Sequence, residues 1–124
     1  MKFCFVMFAL VLSASAFAQD WRCRNNDLEI SCAGKKCESN SSFTPMNVEI
    51  SGSGAVRVCA YSGCREGKGK LHRTGQFLSV AVAQLKSSLP NAKEDARSVA
   101  IIIDAQDKVG VMKLDSYAQP LTCE

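Results

Sequence analysis

Apolar and polar residues alternate with a period of two along most of the chain. The alternating runs lie at residues 28–31, 46–50, 56–59, 77–82 and 109–114, and residues 99–103 form a continuous apolar run. Successive side chains of a β-strand point to opposite faces, so this period is typical of strands that bury one face. Glycine, asparagine and aspartate separate the runs. The pattern predicts an all-β fold, a small antiparallel barrel or sandwich of seven to eight strands.

One segment departs from this alternation. Residues 87–97 are mostly polar and include Pro90, which is favourable in the first turn of a helix. The segment therefore predicts a crossover loop that allows one short helix after Pro90.

The first 18 residues have the three parts of a secretory signal peptide. Lys2 supplies a positive charge, residues 3–12 are apolar, and small residues lead to Ala16 and Ala18. The apolar run is shorter than the roughly 20 residues that a membrane-spanning helix needs. We expect residues 1–18 to be removed and residues 19–124 to form a single exported domain, periplasmic or secreted and not membrane-spanning.

Six of the seven cysteines lie beyond this leader, an even number that predicts a disulfide framework in a short exported domain. Six cysteines allow fifteen connectivities, and the sequence alone does not select one, although spacing favours some of them. Two C-x4-C segments each allow a tight turn that brings both cysteines opposite each other on paired strands. The favoured pairs are thus Cys32–Cys37 and Cys59–Cys64, which leaves Cys23–Cys123. No C-x-x-C pair is present, and we expect no metal site.

Composition argues against several classes of function. The net charge is +3, or +2 once Lys2 leaves with the leader, which is too small to predict nucleic acid as a partner. His72 is the only histidine and lies beside Arg73, whose charge opposes its protonation. If the cysteines are oxidised, the sequence shows no evident nucleophile for covalent catalysis. We expect a protein that is not an enzyme and that needs no cofactor.

Positive charge is concentrated between residues 51 and 73. This stretch contains five lysine and arginine residues and one acidic residue, Glu66. The Cys59–Cys64 disulfide would hold a turn that contains Tyr61 and Ser62. An aromatic residue with neighbouring arginine is typical of a binding hot spot, and a pre-formed turn loses less entropy on docking. The alternative is a plain hairpin with solvated charges.

This stretch is similar to two loop motifs of the membrane-bound and periplasmic inhibitors of c-type lysozyme. Residues 51–57, Ser-Gly-Ser-Gly-Ala-Val-Arg, resemble the first motif, with one extra residue before Arg57 and Val58 in place of tyrosine. Residues 64–69, Cys-Arg-Glu-Gly-Lys-Gly, resemble the second motif in outline, with Glu66 where the family has lysine. The resemblance implies a small β-barrel whose loops enter the lysozyme cleft.

The resulting hypothesis is inhibition of c-type lysozyme by insertion of a hairpin loop. Ser53 and Ser62 would contribute hydroxyl groups, Tyr61 would pack, and either Arg65 or Lys68 would meet the carboxylates of the cleft. The alternative is a non-catalytic module of the cell envelope that binds a cell-wall or outer-membrane component through the same basic face. The edge strands of a small open barrel could also pair with those of a second copy, so a homodimer is a further alternative.

Overall fold

The computed structural model describes residues 19–61, 63–90 and 95–124, and these contain eleven strands joined by antiparallel pairing. In chain order they are β1 (Trp21–Asn25), β2 (Glu29–Ala33), β3 (Lys36–Asn40), β4 (Met46–Ile50), β5 (Ala55–Ala60), β6 (Gly63–Lys68), β7 (Lys70–Thr74), β8 (Phe77–Ser87), β9 (Arg97–Asp104), β10 (Val109–Leu114) and β11 (Tyr117–Cys123).

Eight of the strands close into a barrel in the order β1, β4, β5, β6, β8, β9, β10, β11, with β11 returning to β1. The β2–β3 hairpin extends from β11, and β7 continues β6 along the first half of β8. The all-β prediction is confirmed, with three strands beyond the barrel itself. Helix is absent from the described residues, while positions 91–94 in the predicted crossover and the predicted leader at 1–18 lie outside them.

The alternation in the sequence corresponds to the inner and outer faces of this barrel. The burial pattern of β9 alternates strictly from Ser98 to Ile103, with every second residue buried. The inward side chains meet in one continuous core. Its largest fully buried apolar members are Ile50, Leu85, Ile101, Ile103 and Met112.

The three disulfides join the pairs that the spacing favours. Cys32–Cys37 and Cys59–Cys64 each link residues directly opposite each other in a hairpin. Cys23–Cys123 joins β1 to β11, the two strands whose pairing closes the barrel. Three disulfides in a chain of this size indicate an oxidising compartment. In the part of the chain that the structure describes, we find no helix with the length and apolar character required to cross a bilayer.

Candidate functional site

The β5–β6 hairpin separates the predicted contact residues into two groups. Ser53 comes just before β5 and Lys68 ends β6, so both lie at the same end of the hairpin, where Ala55 pairs with Lys68. Tyr61 follows β5 at the opposite end, which is about 20 Å away for a six-residue strand. Ser62, between Tyr61 and β6, lies outside the described residues.

Residues 51–54 form a tight turn held by hydrogen bonds of its own. The Ser51 amide donates to the Ala55 carbonyl at 2.9 Å, and the Gly54 amide donates to the Ser51 carbonyl at 3.0 Å. The hydroxyl oxygens of Ser51 and Ser53 lie 2.8 Å apart, and Ser51 Oγ also accepts from the Ala55 amide at 3.1 Å. The Ser53 hydroxyl is therefore held at an exposed position by its neighbour.

Two glycines fix the backbone on either side of Lys68. A Cβ on Gly67 would lie 2.6 Å from Val82 Cγ1 and 2.8 Å from the Gln84 carbonyl oxygen, and one on Gly69 would overlap the backbone of β8. Both positions need glycine because the chain passes so close to β8. Lys68 lies between them with its side chain exposed, and it forms no ion pair with the described residues.

A groove of about 570 Å³ runs beside this end of the hairpin, on the outer face of β4, β5 and β6. Arg57 occupies its middle strand, with Nε 3.1 Å from Glu66 Oε1 and Nη1 3.9 Å from Glu49 Oε2. All three side chains are about half exposed. The groove is lined by Glu49, Ser51, Ala55, Val56, Arg57, Glu66, Gly67 and Lys68.

The other end of the hairpin has a different character. Tyr61 is 82% exposed, so its ring has no packing partner of any size among the described residues. Arg65 lies opposite the buried Val58, at an inward position near the end of the barrel. Its guanidinium donates to the Asp95 carbonyl, and Nη2 lies 3.5 Å from Asp95 Oδ2.

Asp95 makes this arginine part of a larger network. Its Oδ2 also lies 3.0 Å from Arg97 Nη2, and Arg97 Nη1 lies 2.6 Å from Asp115 Oδ2. The hydrogen bond to Asp95, together with the charges of Asp115 and Asp95, raises the pKa of Arg97 above its ordinary value. Arg65 therefore ties β6 to the crossover segment, while Lys68 keeps its ammonium in solvent.

Two features of this site were missed from the sequence. Glu49 carries no signal of its own, although it, Arg57 and Glu66 all occupy the polar positions of alternating strands. Only the register places the three side chains in one row, with Arg57 between the two carboxylates. The contacts of Gly67 and Gly69 with β8 were missed for the same reason, because they depend on how β6 and β7 pair with β8.

The described residues hold no cluster of three histidine, cysteine, aspartate or glutamate side chains suited to a metal ion. Comparison with protein families, with curated proteins and with solved structures finds no match to this chain. Its function is therefore inferred from the residues of the hairpin and the groove.

Proposed function

We propose that this protein is an exported inhibitor of c-type lysozyme, and that the 51–54 turn and Lys68 enter the active-site cleft together. The observation that carries the proposal is the adjacency of the two segments that resemble the inhibitor motifs. The Gly69 amide donates to the Gly54 carbonyl at 2.9 Å, and Ala55 pairs with Lys68. Ser53 and Lys68, fifteen positions apart in sequence, are thus presented at the same end of the hairpin.

This pair of groups suits a cleft that contains two carboxylates. The Lys68 ammonium can donate charge-assisted hydrogen bonds to a carboxylate, and the Ser53 hydroxyl can donate a further one. The turn is held by its own hydrogen bonds, so little conformational entropy is lost when it docks.

Overall charge does not favour this complex, because c-type lysozymes are usually strongly basic and the two carboxylates of the groove, Glu49 and Glu66, already pair with Arg57. The net charge of the exported domain is only +2, so long-range attraction is small and affinity depends on local contacts.

The proposal assigns the inserted cation to Lys68 rather than to Arg65. Arg65 already donates to Asp95, and withdrawing it would leave that network without its cation on β6. Tyr61 lies at the far end of the hairpin, and Ser62 lies outside the described residues. A contact between either residue and lysozyme stays a separate prediction. Periplasmic or secreted localisation is also part of the proposal.

A lytic assay with purified residues 19–124 tests the proposal. We expect micromolar protein to inhibit c-type lysozyme, and Lys68→Glu to weaken inhibition at least about 100-fold, since one favourable charge contact becomes repulsive. The control is Lys36→Glu, which makes the same charge change on the exposed β3. Absence of inhibition by the oxidised wild-type protein would contradict the proposal.

Binding assays on two surfaces distinguish the alternative function. Immobilised lysozyme should retain the wild-type protein and release Lys68→Glu, whereas peptidoglycan should retain neither. Retention on peptidoglycan alone would favour an envelope-binding module that uses the same basic face.

A further inference from the structure

The outer face of β8, β9, β10 and β11 carries an apolar ridge. Phe77, Ile102, Val109 and Val111 point outward there and are 46–54% exposed. Cross-strand pairing places Ile102 beside Val111 and Val111 beside Pro120, while Phe77 and Val109 flank Asp104 in the next row. The ridge is therefore a contiguous surface two rows deep, of the kind that marks an interaction site.

A hollow adjoins this ridge on the same face. It measures about 670 Å³ and lies over the row in which Ala81, Ala100 and Lys113 are paired, and over the next row, with Ala83 and Ser98. Small side chains on β8 and β9 form its floor, and the ion pair of Arg97 and Asp115 also lines it. On β8 and β9 the large outward residues thus lie toward one end and the small ones toward the other, as Ile102 and Ala100 show on β9, whereas β10 has Lys113 in the hollow row.

We propose that two copies of this chain pack through this face, with the ridge of one copy in the hollow of the other. The two copies would be related by a two-fold axis that lies in the interface, perpendicular to the strands and midway between the rows of Ile102 and Ala100. Rotation about this axis places the ridge end of one copy over the hollow end of the other. Under that axis β9 faces its own copy, so that Ile102 lies over the partner's position 100 and Phe77 over the partner's position 83. One surface then serves both subunits, as an isologous interface requires.

The charges on the face agree with this orientation. Lys113 is in the hollow row and Asp104 is in the outer ridge row. The axis brings Lys113 of one copy over Val111 of the other, next to the strand that carries Asp104. Its aliphatic chain can cover the valine while the ammonium, which donates to the Asp115 carbonyl in the single chain, turns toward the carboxylate. A two-fold axis parallel to the strands would instead place the ridge of one copy on the ridge of the other, and hollow on hollow.

The size of the face predicts a weak dimer. Four strands spaced about 4.8 Å apart and about seven residues of length give roughly 20 by 20 Å in projection. Protruding side chains give such a face more accessible surface than its projection of about 400 Å², so it reaches at most the lower end of the roughly 800 Å² per partner that stable complexes bury. We therefore expect a weak dimer whose population depends on concentration. The β4–β6 groove lies on the opposite side of the barrel and stays open in both subunits.

Sedimentation velocity of residues 19–124 from about 5 μM to 1 mM tests this inference, without lysozyme present, so its result does not depend on the proposed function. The wild-type sedimentation coefficient should rise toward that of a dimer. Ile102→Glu, which removes the ridge, and Ala100→Glu, which fills the hollow, should each raise the dissociation constant at least tenfold. Ile102→Thr keeps a β-branched residue on β9 and should also weaken the dimer.

Leu89→Glu is the matched control, since Leu89 is as exposed as Ile102, at 54%, but lies off this face. It should leave the dissociation constant within twofold of the wild-type value. A monomer throughout the concentration range would overturn the proposal. Weakening by Ile102→Glu but not by Ala100→Glu would overturn the ridge-in-hollow arrangement, and so would equal weakening by Leu89→Glu.

Discussion

The Gly69 amide donates a 2.9 Å hydrogen bond to the carbonyl oxygen of Gly54, and this contact joins the 51–54 turn to the junction of β6 and β7. Gly54 has a φ of +91°, and a Cβ there would overlap the Gly69 carbonyl oxygen. Two separate requirements, backbone conformation and close approach, therefore demand glycine at position 54. The same contact sets the distance between Ser53 and Lys68.

Gly54→Ala should be strongly destabilising, because the new methyl group must push backbone atoms apart. We expect a loss of about 3 kcal/mol or more in the free energy of unfolding, measured by urea denaturation. Gly34→Ala is the control, since Gly34 also has a positive φ, +60°, but a Cβ added there would meet no other atom within 4 Å. That variant should lose only about 1 kcal/mol. Equal losses would mean that the close approach to Gly69 is unimportant.

The Cys23–Cys123 disulfide should contribute more stability than either hairpin disulfide. It closes a loop with a sequence separation of 100, against 5 for Cys32–Cys37. In the chain-entropy account, these loops correspond to about 4.7 and about 2 kcal/mol. Replacing both Cys23 and Cys123 by alanine should therefore lower the midpoint of guanidinium denaturation more than replacing Cys32 and Cys37. The opposite order would contradict this account of barrel closure.

Arg65→Leu should loosen the crossover segment without removing lysozyme inhibition. The substitution breaks the contacts with Asp95, which are partly exposed, so we expect a loss of about 1 kcal/mol or less. Amide exchange of Ser88, whose N–H donates to the Cys64 carbonyl, should become faster. Arg73→Leu, at an exposed position of β7, should leave this exchange rate unchanged. Loss of inhibition by Arg65→Leu with normal folding would instead assign the inserted cation to Arg65.

Asp104 should titrate below the ordinary range of an aspartate. A hydrogen bond from the Gln76 side chain, with those from the Asp107 and Gln106 amides, lowers the pKa of its carboxyl. A lowered folded-state pKa means that the ionised form is stabilised by folding. This stabilisation is present above the unfolded pKa and is lost as the pH falls through the folded value.

Gln76→Ala should raise the pKa of Asp104, observed by NMR titration of its carboxyl carbon. Gln84→Ala, at an exposed position of β8, should leave that pKa unchanged. A pKa of Asp104 that stays the same in Gln76→Ala would show that the backbone amides alone hold the carboxylate.

Much of the fold follows from local sequence pattern. Period-two alternation determines strands and their buried faces, because a strand side chain can reach only one side of the sheet. Close spacing likewise favours Cys32–Cys37 and Cys59–Cys64, since a short turn leaves few ways to pair the strands that flank it. These features require no knowledge of distant parts of the chain.

Only the tertiary structure decided which residues lie together. Arg65 has a partner and Lys68 has none among the described residues because Asp95, thirty positions from Arg65, lies beside Arg65. The row of Glu49, Arg57 and Glu66 depends on the register of three strands. The sequence alone grouped Ser53 with Tyr61, which the length of β5 places at opposite ends of the hairpin. Alternation is a local property of the backbone, whereas register and barrel closure result from packing between segments far apart in the chain.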